Sequence, residues 1–356
     1  MSLEFDHITL GQRVRFGTGK AAANLVAEVE RRGSRAVMVI AGTRETELAM
    51  RVTADIDVAL HHSEVAMHVP VETARKARAA AQDNGIDLLV SIGGGSTTGL
   101  AKAVALASGL PIVAVPTTYA GSEATNVWGL TEDARKTTGV DDRVLPETVI
   151  YDAALTFSLP ADLSVASGLN GLAHCLDSLW APRADPINAA LATEGMRTLA
   201  AGLPQVIADP DGAQGRERAL HGAYLSAVSF ASAGSAMHHK ICHVLGGTYD
   251  LPHAQTHAIV LPHVLAYNAG AAPEAAERIA DALGAHDAVA GLVRLRDHLG
   301  APKALRDIGL RESDLRAAAE SSAAAIPRSN PRPVTTDSVQ ALLTDAWAGT
   351  SPEAAR

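Results

Sequence analysis

Strand-like and helix-like stretches alternate through the first 150 residues of the chain. Apolar runs at residues 35–41, 87–92 and 111–115, with a shorter one at 64–69, predict strands. The stretches between them, at 45–61, 73–83 and 96–108, predict helices. Because the strands are apolar throughout and alternate with helices, they are typical of a parallel sheet that is covered by crossover helices on both faces.

The pattern changes near residue 156, where strand-like runs nearly vanish. Long stretches rich in Ala and Leu follow at residues 163–179, 187–201, 216–232, 272–283 and 289–299, and they predict helices. We therefore expect two domains, an α/β nucleotide-binding domain at residues 1–155 and an all-helical domain at residues 156–356.

Composition and charge limit the kinds of binding partner that are expected for this chain. With 30 Lys and Arg against 39 Asp and Glu, the net charge is −9, so no overall attraction for nucleic acid or anionic membranes is expected. The two cysteines cannot form a disulfide framework. The sequence shows neither a basic start followed by an apolar stretch nor an apolar run long enough to cross a membrane, and a cytoplasmic protein is expected.

A glycine turn follows the apolar run at 87–92. Gly93, Gly94 and Gly95 precede Ser96 and a predicted helix. Glycines let a ligand approach the backbone, and the first amides of a helix favour a phosphate, although a plain strand-to-helix turn would have the same sequence. Ser96 is expected to cap the helix.

Cofactor choice is indicated by the end of the strand at 35–41. The following residues, 41–44, contain no acidic side chain for a ribose 2′-hydroxyl, while Arg44 could attract a 2′-phosphate. Use of both NADH and NADPH is therefore our hypothesis from the sequence.

Polar residues recur four apart in the helical half. Asn170 and His174 form one such pair, His239 and His243 form another, and His253 follows a Gly-Gly turn. Side chains four apart share a helix face. A single histidine on an apolar helix is usually a hydrogen-bonded core residue, but several imidazoles in Ala- and Leu-rich surroundings indicate a functional site.

Together these motifs resemble the iron-containing alcohol dehydrogenases, a family related in fold to dehydroquinate synthase. The resemblance extends from residues 16–19 (FGTG) through 93–96 (GGGS) and 121–123 (GSE) to the histidine motifs. Residues 116–123 (PTTYAGSE), 129–132 (GLTE), 167–170 (SGLN) and 330–333 (NPRP) resemble its maleylacetate reductase subgroup. The family implies a nucleotide-binding α/β domain, an all-helical domain, a cleft between them and a homodimer.

The resemblance also implies roles for single residues. Residues expected to bind NADH or NADPH are Gly94, Gly95, Ser96, Thr97, Thr117, Thr118, Ser122 and Lys136. Metal-dependent members use an Asp and three His as ligands, at the positions of Asn170, His174, His239 and His253. Since an amide replaces the only charged ligand, metal affinity should fall, and a site that works without a metal is expected.

The implied reaction is the reduction of maleylacetate, a small dicarboxylate, to 3-oxoadipate in the degradation of aromatic compounds. Residues expected to carry it are His243, His253, His239, His174 and Tyr119, with His243 or His253 as the proton donor. Three alternatives stay open: a metal-dependent alcohol or polyol dehydrogenase, a lyase like dehydroquinate synthase, and a cofactor-binding protein without catalysis.

Overall fold

The computed structural model describes residues 4–132 and 135–352, with the side chains of residues 135 and 136 excluded. The chain divides into two compact units. An α/β unit consists of residues 10–159 and 211–220, and a helical unit consists of the remainder. The short N-terminal segment before residue 10 therefore belongs to the helical unit, and the start of one helix of the second half belongs to the α/β unit.

A parallel sheet forms the centre of the α/β unit. The strands are β1 (Arg13–Phe16), β2 (Val37–Ile40), β3 (Val58–His62), β4 (Leu88–Gly93), β5 (Ile112–Pro116), β6 (Val127–Glu132), β7 (Arg135–Val140) and β8 (Thr148–Tyr151). The helices of this unit are α1 (Ala21–Arg32), α2 (Thr46–Val52), α3 (Val71–Asp83) and α4 (Gly95–Ser108). The sheet runs in the order β1-β8-β5-β4-β2-β3 with parallel pairing, and β6 and β7 form an antiparallel hairpin.

Two neighbouring strands send their connections to opposite faces of this sheet. α2 follows β2 and packs on the face of the sheet that contains Val39 and Val90, whereas α4 follows β4 and packs on the face that contains Met38 and Leu89. β2 leads outward to β3, and β4 leads the other way to β5. In open α/β sheets, such a reversal opens a crevice at the carboxyl ends of the strands, where ligands bind.

Two local predictions are wrong in this half. The stretch 45–61 is not one helix, because α2 ends at Val52 and β3 begins at Val58, with its residues alternating between half-buried and exposed. The stretch 64–69 is not a strand either, since His68 and Val69 adopt positive φ angles of 60° and 48°. Edge strands such as β3 lack the continuous apolar run that marked β4 and β5.

Helices build the second unit. They are α5 (Ala161–Ser178), α6 (Pro186–Ala208), α7 (Ala213–Ala233), α8 (Met237–Tyr249), α9 (His253–Ala269), α10 (Pro273–Ala282), α11 (Ala288–His298), α12 (Leu315–Ala325) and α13 (Thr336–Ala348). α8, α9, α12 and α13 share a core that includes Ile241, Val264 and Leu343. Across residues 4–132 and 135–352, every helix is too short or too polar to span a lipid bilayer.

Candidate active site

The predicted histidines of the helical unit lie together. The rings of His174 on α5 and His239 on α8 stack with 4.8 Å between their centroids, and both contact Phe230. The ring of His243 lies 6.1 Å from that of His239. His253 joins the cluster through His257, whose ring lies 4.3 Å from it and 4.9 Å from His239.

Burial differs across this cluster. His174 and His239 are buried, while His243 is half-buried and His253 is exposed. Asn170, one turn before His174, is also buried, and its Oδ1 has no hydrogen-bond partner. Nδ1 of His174 and Nε2 of His239 are likewise buried without a partner. Unpaired buried polar atoms are rare and costly, so their concentration here indicates a place for a polar ligand.

Asp177 anchors the cluster, and sequence reasoning missed it. Its fully buried carboxylate accepts hydrogen bonds from the backbone N–H groups of Ala236, His238 and His239 at 3.0–3.2 Å. It also accepts one from Nδ1 of His239 at 2.8 Å. The bond to Nδ1 leaves Nε2 of neutral His239 as an acceptor. Asp177 lies three residues after His174, a spacing that places both on one face of α5 and could have indicated it.

A second buried pair, His238 and His257, lies beside His239. Nε2 of His238 and Nδ1 of His257 are 2.9 Å apart, so one ring donates to the other, and Sγ of Cys242 lies 3.5 Å from Nε2 of His238. Nε2 of His257 is buried and unpaired. The spacing of four from His253 to His257 repeats the pattern of the predicted pairs, so the sequence contained this signal.

Burial keeps these imidazoles neutral. It lowers the pKa of His174 to about 4 and the pKa of His238 to about 3. Burial, with repulsion from the neighbouring imidazoles, also holds the pKa of His239 and of His257 well below the usual value. Neutral imidazole offers one N–H donor and one lone pair. The buried rings can therefore orient a polar ligand by hydrogen bonds but supply no positive charge near neutral pH.

In the α/β unit, the glycine turn lies beside the loop that follows β5. A Cβ on Gly94 would come 3.1 Å from Cγ2 of Thr118, and one on Gly95 would come 3.5 Å from Cβ of Ala120. The backbone N–H of Thr117 donates to the carbonyl oxygen of Gly93 at 3.1 Å. The structure thus brings together Gly94, Gly95 and both threonines of this loop at the carboxyl ends of β4 and β5.

The first turn of α4 differs from the sequence expectation in one detail. The helix begins at Gly95 and Gly94 holds the cap position, so Ser96 lies inside the helix and does not cap it. No side chain among the described residues bonds this end of α4. Its leading amides, including those of Ser96 and Thr97, are the kind that bind a phosphate.

The remaining predicted residues of this unit lie in different settings. Tyr119 is fully buried, and its hydroxyl accepts a hydrogen bond from the guanidinium of Arg216 at 3.2 Å. Ser122 opens a short 3₁₀ turn after the left-handed Gly121. The side chain of Lys136 lies outside the described part of the structure.

A parallel sheet with a glycine turn at a reversal of strand connections, together with a helical unit that carries clustered imidazoles, defines a nucleotide-dependent oxidoreductase. Models of the iron-containing alcohol dehydrogenase family match residues 11–153, and models of its C-terminal region match residues 164–347. The chain belongs to the iron-containing alcohol dehydrogenase family.

Three relatives illustrate the similarity. A maleylacetate reductase of Sphingobium indicum is 46% identical over 98% of this chain and 99% of its own length. The crystal structure of an iron-containing alcohol dehydrogenase from Corynebacterium glutamicum is 63% identical, with a TM-score of 0.98 and 99% of each chain covered. That of a maleylacetate reductase from Agrobacterium tumefaciens is 40% identical, with a TM-score of 0.94 over 99% of this chain and 100% of the other.

The family name implies iron, and the residues present can be tested against it. The unpaired buried atoms of Asn170, His174 and His239 include the oxygen and nitrogen donors that divalent transition metals accept. Asp177 behind His239 resembles the carboxylate that orients a ligating imidazole. The set therefore fits a divalent cation, but with neutral ligands only, and its affinity should be lower than that of a set with a carboxylate.

Proposed function

We propose that this protein catalyses the NAD(P)H-dependent reduction of maleylacetate to 3-oxoadipate in the degradation of aromatic compounds. The similarity to maleylacetate reductases over nearly the whole chain carries the proposal. Asn170 supports it, since the buried amide replaces the charged metal ligand that the family resemblance implies. Because the reaction consumes NAD(P)H, we expect it in the cytoplasm, and a homodimer stays a prediction that light scattering can test.

The dinucleotide is proposed to bind at the carboxyl ends of β4 and β5. The backbone of Gly94 and the amides of Gly95, Ser96 and Thr97 hold the pyrophosphate, as the uncapped first turn of α4 permits. Thr117, Thr118 and Ser122 lie along the cofactor, and Lys136 is expected on its ribose side. Tyr119 is assigned a positioning role in the loop, because its buried hydroxyl is bonded to Arg216.

The reaction requires a hydride donor, which is NAD(P)H, and a proton donor. Hydride from C4 of the nicotinamide adds to the alkene carbon β to the ketone, and the electron pair of the double bond moves onto the ketone oxygen as an enolate. Protonation of the adjacent carbon then gives 3-oxoadipate, with NAD(P)⁺ as the other product. The enzyme therefore has to stabilise an enolate next to two carboxylates.

The imidazoles of the helical unit are proposed to do this. The buried His174 orients the substrate by donating a hydrogen bond from Nδ1, and His239 stacks on its ring. His243 or His253, the more accessible rings, donates the proton. If a divalent cation bound, Asn170, His174, His239 and His253 would hold it, and it would polarise a carbonyl oxygen as a Lewis acid. We propose that the reaction does not require it, because imidazole N–H groups can bind the enolate oxygen.

The test is an assay of purified protein with maleylacetate and either NADH or NADPH. We expect loss of reduced-nucleotide absorbance together with formation of 3-oxoadipate, and activity unchanged after treatment with a chelator. Absence of maleylacetate-dependent oxidation would refute the proposal. Activity that is lost with chelator and restored by Fe²⁺ would refute its metal-free form.

A second candidate is a metal-dependent alcohol or polyol dehydrogenase. The similarity to the Corynebacterium glutamicum structure, which carries an alcohol dehydrogenase name, favours testing it. It predicts NAD⁺-dependent oxidation of simple alcohols by the metal-loaded protein. A lyase like dehydroquinate synthase predicts turnover without net oxidation of NAD(P)H, which the same assay detects.

A further inference from the structure

A carboxylate lies at the carboxyl end of β2, although residues 41–44 contain none. Glu45 forms a short 3₁₀ turn with Thr43 and Arg44, and its side chain folds back over Gly42. A Cβ on Gly42 would come 2.7 Å from Oε2 of Glu45, closer than real contacts allow. The absence of a side chain at Gly42 is therefore what permits the carboxylate to lie over the end of the strand.

This carboxylate makes no side-chain hydrogen bond or ion pair with the described residues. Glu45 is nevertheless half-buried, and its carboxylate lies against Gly42. A half-buried carboxylate without a partner retains its full capacity to accept hydrogen bonds from a ligand. Arg44, by contrast, is exposed.

The position of Glu45 just after β2 indicates which ligand its carboxylate would bind. β2 pairs with β4 in parallel, with Ile40 opposite Ser91. The turn at Gly42 and the glycine turn after β4 each begin two residues after this pair, so they lie side by side at the ends of adjacent strands. Adjacent strands are about 4.8 Å apart. The connections of these two strands reverse here, which is where dinucleotides bind in such sheets. A pyrophosphate at the glycine turn would place its adenosine ribose toward β2.

We propose that Glu45 binds the adenosine ribose of the cofactor and makes the protein prefer NADH to NADPH. The carboxylate accepts hydrogen bonds from the ribose hydroxyls, and it repels the 2′-phosphate of NADPH. The inference adds a preference to the sequence hypothesis that both nucleotides are used. It rests on the use of NAD(P)H, which the family establishes, and does not depend on which substrate is reduced.

Two variants test the carboxylate in different ways. Glu45→Gln removes the charge and keeps the size. Gly42→Ala keeps the charge but displaces it, and the φ of −63° at Gly42 is compatible with alanine. Glu47→Gln is the matched control, because it makes the same change at an exposed glutamate in the next turn. Thermal denaturation verifies that each variant is folded.

The readout is the dissociation constant of NADH and of NADPH, measured by fluorescence titration without substrate. Wild type and Glu47→Gln should each bind NADH more tightly than NADPH. In Glu45→Gln the preference should fall by about 10- to 100-fold, the value of a charge-assisted hydrogen bond, and Gly42→Ala should change it in the same direction. Because no turnover is needed, failure of the proposed reduction would leave this result interpretable.

Three outcomes would overturn the inference. One is a wild-type protein that binds NADPH as tightly as NADH. Another is a Glu45→Gln variant whose preference stays within about twofold of wild type. The third is a preference that changes in Arg44→Ala and not in Glu45→Gln, which would assign the control of cofactor choice to Arg44.

Discussion

Replacing Asp177 by asparagine isolates the effect of one buried charge on the histidine cluster. Oδ2 of Asp177 accepts from the backbone N–H groups of Ala236 and His239 and from Nδ1 of His239. Oδ1 accepts from the backbone N–H of His238 at 3.2 Å and from Nε1 of Trp180 at 3.4 Å. Asparagine has a single acceptor oxygen. We expect that oxygen to take the side with three donors, so that its NH₂ group faces the N–H groups of His238 and Trp180.

The cost follows from that arrangement. The buried N–H of His238 loses its acceptor, which costs about 1–3 kcal/mol, and the longer bond from Trp180 is lost as well. The other three bonds lose the contribution of the negative charge. We therefore expect the free energy of unfolding to fall by about 2–4 kcal/mol. Nδ1 of His239 stays bonded but its ring becomes less polarised, and loss of such a supporting partner lowers activity about 10- to 100-fold.

The assay combines urea denaturation with the steady-state reduction of maleylacetate, at a temperature where the variant is fully folded. Asp185→Asn is the matched control, because Asp185 also caps a helix, α6, and also bonds a histidine, His7. The control should lose stability and keep its kcat. If Asp177→Asn retains wild-type kcat, or if its kcat falls no further than that of Asp185→Asn, the assigned role of Asp177 is wrong.

Three further predictions concern other sites. Burial raises the pKa of Glu28, but hydrogen bonds from side chains including Arg15 outweigh this effect and hold the pKa below its ordinary value. Ionised Glu28 therefore stabilises the fold above the ordinary carboxyl pKa, and this stabilisation is lost as the pH falls through the lowered pKa. Glu28→Gln should flatten the acid limb of a plot of unfolding free energy against pH. Asn170→Asp should raise the Fe²⁺ or Zn²⁺ content of dialysed protein, measured by elemental analysis, and unchanged content would refute our reading of this residue. The side chain introduced by Gly94→Val should clash with Thr118 at the glycine turn. We expect KM for the nucleotide to rise about tenfold, with a small change in melting temperature. An unchanged KM would remove Gly94 from the proposed cofactor site.

Local sequence patterns predicted much of the α/β unit. The apolar runs at β4 and β5 and the glycine turn between β4 and α4 are short-range features, because burial on both faces demands continuous apolar strands. β1, β3, β6, β7 and β8 were not predicted. β1 is partly exposed at the edge of the sheet, and β6 and β7 pair with each other outside it, so neither setting requires an apolar run.

Prediction of the histidine cluster also used short-range patterns and had the same limit. Spacing of four along a helix follows from 3.6 residues per turn, so pairs such as His239 and His243 could be read from the chain. That His174 stacks on His239 depends on how α5 packs against α8, and the bond from His239 to Asp177 joins residues 62 apart. Such contacts leave no periodic signal.

The sequence by itself determined the alternation of elements, the turn that can take a phosphate, the family, and the loss of a charged ligand at Asn170. Only the tertiary structure decided that Asp177 supports His239, that His238 and His257 form a buried pair, and that Glu45 lies over Gly42. The reason is physical: periodicity reports which face of an element is buried, whereas the partner of a buried polar group depends on packing between elements that are distant in the chain.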